Sequence, residues 1–263
     1  MCRILGYLGS PIQLDRLLYQ PEHSLIVQSY QPREMTAGTI NADGYGIGWY
    51  HQKQETQPFT YKNILPIWSD INLPELTRYI ESGCILANIR SATPGQAIDL
   101  SNCQPFNYDR LLFVHNGFIQ NFRTSLYRPI RDRLSDTAYQ LIKGSTDSEH
   151  IFALFVNTWQ ASPNISLEKA LQQTLITLHE LATQHQVKAS ATIIISDGHQ
   201  AISSRFSTHL PSPTLYWLRD DPQFPTSVVL ASEPLFAGNW ISCPENSIFS
   251  IGEDFEERIC PIL

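Results

Sequence analysis

The order of apolar patterns along these 263 residues predicts a layered α+β fold. The first part carries short strand-like runs punctuated by glycine. The middle carries two longer stretches with apolar residues at helical spacing, and strand-like runs then return. Strands, then helices, then strands point away from regular βαβ alternation.

Residues 3–9 are the first expected strand. Residues 45–50 are the next, entered through Asn41-Ala42-Asp43-Gly44, where Asp and Gly tolerate the positive φ of a tight turn. Residues 84–90 (CILANIR) and 110–115 (RLLFVH) have the apolar continuity of buried strands. Residues 147–159 place Ile151, Leu154 and Phe155 at helical spacing, and residues 167–185 do the same with Leu171, Leu175, Leu178 and Leu181. Strands are expected again at 191–196, 214–218, 227–231 and 247–251. Residues 211–225 are loop-rich, but neither repeat nor low-complexity linker divides the chain, so residues 1–263 read as one domain.

Composition narrows the function. Hydrophobic residues make up 42% and charged residues 16%, which suits a sizeable core. The net charge of -7 and the lack of any Lys/Arg cluster disfavour nucleic acid as a partner. No run approaches the roughly 18 apolar residues that span a bilayer. The start, Met1-Cys2-Arg3-Ile4-Leu5-Gly6, lacks the basic and apolar regions of a secretion signal, so a cytoplasmic location is expected. The five cysteines (Cys2, Cys84, Cys103, Cys243, Cys260) show no metal-ligand spacing, and neither disulfide framework, metal nor cofactor is expected.

Four motifs carry candidate chemistry. Cys is small enough for Met1 to be removed ahead of it, which would leave a thiol and a free α-amine on one residue. With ordinary pKa values of about 8.5 and 7.7–8.0, that amine is a usable base for the thiol. The plain alternative is a small buried cysteine. Val114-His115-Asn116-Gly117 offers a side-chain amide beside a glycine N–H, two donors able to converge on one oxygen. Asn-Gly is also the commonest hairpin turn, and His115 reads as a satisfied core residue. In Asn88-Ile89-Arg90-Ser91-Ala92-Thr93-Pro94-Gly95, Arg90 leaves an apolar strand for a loop, placed either to grip a carboxylate or to make a loop salt bridge. Gly144-Ser145-Thr146-Asp147-Ser148-Glu149 reads as a helix cap, or as an Asp147 that binds an ammonium.

Taken jointly and in order, these motifs resemble the class II glutamine amidotransferases, N-terminal-nucleophile hydrolases with a four-layer αββα sandwich. The likeness runs through Met1-Cys2-Arg3, Asn41-Ala42-Asp43-Gly44-Tyr45-Gly46, Ile89-Arg90-Ser91-Ala92-Thr93, His115-Asn116-Gly117, Thr146-Asp147-Ser148-Glu149 and Ala231-Ser232-Glu233-Pro234. It implies that Cys2 attacks a γ-glutamyl carbonyl while Asn116 Nδ2 and the Gly117 N–H hold the oxyanion. It further implies that Arg90 grips the α-carboxylate, Asp147 the α-ammonium, and that Thr93 lines the pocket. Many members carry an aromatic residue where Ser91 stands and His where Pro94 stands.

Residues 24–33, 41–50 and 90–93 look most like the EgtC-like branch, whose members release glutamate from γ-glutamyl-hercynylcysteine sulfoxide in ergothioneine biosynthesis. The Dug3-like branch, which acts on glutathione with a peptidase partner, is the next resemblance. No synthase-sized segment follows residues 259–263, so the expected unit either passes ammonia to a partner subunit or hydrolyses its substrate outright. A homo-oligomer fits either case. The rival readings are a non-catalytic glutamyl-binding domain and an N-terminal-Cys hydrolase of bulky acyl amides.

Overall fold

A computed structural model of the chain describes residues 1–35, 38–51, 57–93, 95–162, 164–252 and 256–263. The chain opens with β1 (Arg3–Gln13), two short helices, α1 (Asp15–Leu18) and α2 (Leu25–Tyr30), and the hairpin β2 (Tyr45–Trp49) and β3 (Phe59–Asn63). The helix α3 (Leu73–Tyr79) follows, with Pro74 in its first turn, where a missing N–H costs nothing. It leads into β4 (Glu81–Ile89) and then β5 (Phe106–Tyr108) and β6 (Leu111–Ile119). The helical middle holds α4 (Tyr127–Arg131), α5 (Asp136–Leu141), α6 (Asp147–Ala161) and α7 (Leu167–Gln184). The chain closes with β7 (Ala189–Ser196), β8 (Ala201–Ser207), β9 (Tyr216–Asp221), β10 (Phe224–Ala231), β11 (Ile241–Ser242), β12 (Ser247–Ile251) and β13 (Glu257–Pro261).

The strands form two antiparallel sheets, ordered β11-β9-β10-β1-β4-β2-β3 and β13-β12-β8-β7-β6-β5. Side-chain alternation gives each sheet two apolar faces. On β1, Leu5 and Tyr7 join the core beneath α1–α3, while Ile4 and Leu8 join a core shared by the two sheets. On β6, Leu111 and Phe113 pack under α6 and α7, while Leu112 and Val114 face the first sheet. Helices, sheet, sheet, helices: the expected αββα sandwich is the observed architecture. Among the described residues, no helix is long and apolar enough to cross a membrane.

Several strand bounds shift by three residues or more, in β1, β4, β6, β9 and β10. The strand expected at 110–115 continues to Ile119, so Asn116-Gly117 lies inside a strand and forms no hairpin turn. The strand expected at 214–218 begins at Tyr216 and runs to Asp221. β8 escaped notice because Ser203, Ser204 and Ser207 break its apolar run. These buried hydroxyls donate to the carbonyls of Phe249, Ala191 and Ala189.

Candidate active site

Cys2 directly precedes β1, so continued alternation turns its side chain to the face of Ile4 and Leu8, between the sheets. It is half-buried, with Sγ 3.9 Å from the Ser91 carbonyl oxygen. Burial pushes the Met1 α-amine below its ordinary pKa. A Cβ built on Gly38 would stand 3.5 Å from Ser91 Oγ and 3.7 Å from the Met1 nitrogen, so this glycine borders the same opening.

Arg90 directly follows β4 beside this opening. Its N–H donates to the Gly44 carbonyl at 2.8 Å, and its carbonyl accepts from the Asp43 N–H at 3.1 Å. Gly44 has φ +104°, the conformation expected of that turn. The guanidinium donates to the Asp43 carbonyl (3.2 Å), Gln96 Oε1 (3.2 Å) and the Ala97 carbonyl (3.3 Å). Arg90 is only 3% exposed, yet none of these partners is an anion. The loop-salt-bridge reading therefore fails among the described residues: this is a buried cation held by neutral oxygens. Thr93 is exposed on the same loop, and Pro94 lies outside the described residues.

Asn116 occupies the face of β6 that carries Leu112 and Val114 toward the first sheet. It is fully buried, and neither its Nδ2 nor its Oδ1 has a partner. Asn88, on the inter-sheet face of β4, is in the same condition. At Gly117 any Cβ would lie 2.1 Å from the Ser190 carbonyl oxygen, so only glycine fits. His115 points the other way, toward α6. Its Nδ1 pairs with Ser148 Oγ at 2.8 Å and its Nε2 with the Ser190 carbonyl at 3.3 Å, and burial pushes its pKa down. It is a satisfied core histidine.

Asp147 begins α6. Its Oδ2 accepts from the Ile119 N–H and its Oδ1 from the Ser148 N–H, both at 2.8 Å. Capping itself falls to Thr146, whose hydroxyl accepts from the Glu149 N–H at 3.2 Å. The cap reading thus holds for Thr146, and Asp147 is instead tied to the end of the strand that bears Asn116.

Three connecting residues carry roles that the sequence does not assign, although Glu233 lies in one of its quoted motifs. Asn102 donates to the Ala97 carbonyl (3.0 Å) and accepts from the Ser145 N–H (3.0 Å), joining the Arg90 loop to the start of α6. Gln104 clamps the His115 backbone on both sides. Glu233 gathers Arg3, His23 and the backbone of residues 33 and 34. A buried Asn or Gln bonded to main chain leaves no pattern in the sequence. Among the described residues, no group of three His, Cys, Asp or Glu is placed to hold a metal.

Comparison with known proteins decides the family. The sequence model for class-II glutamine amidotransferases matches residues 19–239. The chain belongs to the class-II glutamine amidotransferases.

This amidotransferase is 31% identical to a probable glutamine amidotransferase, DUG3, of Saccharomyces cerevisiae over 293 residues, 95% of this chain and 82% of that protein. It is 38% identical to the gamma-glutamyl-hercynylcysteine sulfoxide hydrolase of Mycobacterium tuberculosis over 119 residues, 45% of this chain and 50% of that one. The chain thus matches half the length of the mycobacterial relative. Its fold is that of a glutamine aminotransferase class-II domain protein from Silicibacter pomeroyi, with a TM-score of 0.72 at 23% identity over 99% of both chains. It is also that of the allosteric regulatory enzyme of purine biosynthesis, with a TM-score of 0.68 at 16% identity over 99% of this chain and 49% of that one. The amidotransferase is accordingly an enzyme of the amidohydrolase type.

Proposed function

We propose that this amidotransferase hydrolyses γ-glutamyl amide bonds through a Cys2 thioester and releases glutamate. The observation that carries the reading is Asn116, wholly buried with both amide atoms unpartnered on the face that Cys2 also faces. An orphaned buried donor costs about 1–3 kcal/mol, and a developing oxyanion is the partner that recovers it. Arg90 supports the substrate class: a buried cation held by neutral oxygens suits the α-carboxylate of a glutamyl group.

The reaction runs in two halves. With Met1 gone, the Cys2 amine accepts the thiol proton, and the thiolate adds to the γ-carbonyl. Asn116 Nδ2 and the Gly117 N–H stabilise the oxyanion, and the protonated amine hands its proton to the leaving amine. Water then hydrolyses the thioester. Asp147 takes the α-ammonium with the lone pairs that its backbone contacts leave free, and Thr93 lines the pocket rim.

On the leaving-group side, the more identical but shorter match favours γ-glutamyl-hercynylcysteine sulfoxide, and so a place in ergothioneine biosynthesis. The match over 95% of the chain favours a second reading, a glutaminase or glutathione-degrading subunit working with a partner. Incubation with a panel of γ-glutamyl compounds, glutamine and glutathione included, separates the two by the substrate that yields glutamate. Mass spectrometry should find Cys2 first in the active protein, and Cys2→Ala should abolish turnover while still binding substrate. Full activity with Met1 in place would remove the mechanism.

A further inference from the structure

We propose that Glu233 is a positioning residue for the nucleophile, holding the Cys2 backbone through Arg3 and the neighbouring segment through the N–H groups of residues 33 and 34. The proposal rests on the reading of Cys2 as nucleophile. An N-terminal residue frays unless something ties it down. Misplacing a reacting group by about 1 Å can cost on the order of 10²-fold in rate.

The tie to Cys2 is visible. Arg3 begins β1 with its side chain on the face opposite the thiol, and its Nε donates to the Cys2 carbonyl at 2.8 Å. Arg3 is fully buried, and its Nη1 donates to Glu233 Oε1 at 2.9 Å. Glu233 is 1% exposed and its carboxylate is saturated with four donors. Oε1 also accepts from the Glu34 N–H at 3.0 Å, and Oε2 accepts from His23 Nε2 at 2.7 Å and the Arg33 N–H at 2.8 Å. Just beyond that backbone, Met35 Sδ meets Asn41 Nδ2 at 3.6 Å, and Gly38 borders Met1 and Ser91. One carboxylate therefore joins the chain's first strand to a segment on the rim of the same opening.

Stability is a poor reason for this arrangement. Replacing a buried ion pair by apolar side chains of similar bulk is often neutral or stabilising. Arg3 Nη2 is left without any partner, a further cost of keeping the pair. A fixed ionic fork supplies direction, which an apolar contact does not. Burial lowers the Arg3 pKa, and burial alone would raise that of Glu233. The donors around Glu233, with His23 first, outweigh its burial and keep the carboxyl below its ordinary range.

The test compares Glu233→Gln with the double variant Arg3→Met/Glu233→Leu. Glu233→Gln should lower kcat about 10²-fold at unchanged KM. Amide exchange should quicken at residues 3–5 and 33–35 and stay unchanged in α6 and β7. The double variant should regain the wild-type Tm while its kcat stays low. Wild-type kcat in the double variant, or exchange that rises throughout both sheets, overturns the proposal. A wild-type protein that frees no glutamate from any γ-glutamyl compound sinks the functional reading alone, and the local exchange pattern then decides the positioning role.

Discussion

Asn116 is buried in a way that folding alone does not explain. Its side chain could have been apolar at no cost to the layer between the sheets, because Leu112 and Val114 share its face. Removing an unpartnered buried amide should be close to neutral for stability. Loss of one oxyanion donor, by contrast, typically costs about 2.7–4 kcal/mol of transition-state stabilisation. Asn116→Ala should therefore lower kcat roughly 10²–10³-fold with KM and Tm little changed. Full activity in that variant would mean that the oxyanion is held elsewhere. Cys2, Asn116, Arg90 and Asp147 were legible as candidates because their chemistry shows in residue type and local order. The roles of Glu233, Asn102 and Gln104 were not, since their work is done on main-chain groups brought near by the fold.

At the scale of elements, the site depends on how β6 meets α6. The strand runs through Asn116-Gly117 to Ile119, whose N–H is held by Asp147, the first residue of the helix. Thr146 holds the first turn in place through the Glu149 N–H, and Glu149 reaches back to the N–H groups of Lys143 and Gly144 at 2.7 Å each. Thr146→Ala should cost about 1 kcal/mol of stability, seen as a lower Tm, and should raise KM more than it lowers kcat. An unchanged KM with a lowered Tm would separate the cap from substrate binding. The two long helices and most of the central strands could be read from periodicity. The short helices α1–α5 and the edge strands β3, β5, β11 and β13 could not. Among these strands only Phe106 is buried, and helices of four to seven residues are too short to show a period, so contact with a neighbouring element, more than pattern, makes them regular.

At the scale of the whole molecule, each outer helical layer carries its own acid-sensitive group. His150 sits in the layer over the second sheet, packed on Phe122 and Tyr127. Its Nδ1 donates to the Thr146 carbonyl at 2.7 Å, and its Nε2 accepts from Arg131 Nε at 2.9 Å. That pattern needs the neutral ring, and burial, with Arg131 adding to it, lowers the pKa from 6.5 to about 4. Between those values the unfolded chain binds a proton that the folded chain refuses. Stability should therefore fall as pH drops from 6.5 toward 4, by up to about 1.4 kcal/mol per pH unit. Asp70 sits under the first sheet. Burial alone would raise its pKa, but hydrogen bonds from Tyr45, Tyr61 and Asn63 outweigh it and lower the value from 3.8 to about 2. The folded carboxylate stays ionised there while the unfolded one protonates, so stability falls again across that lower window. Thermal unfolding followed against pH should show both declines. His150→Gln, which can still donate and accept, should flatten the upper decline and leave the lower one. Asp70→Asn should do the reverse. If either variant flattened both, the acid response would belong to one cooperative network spanning the two layers.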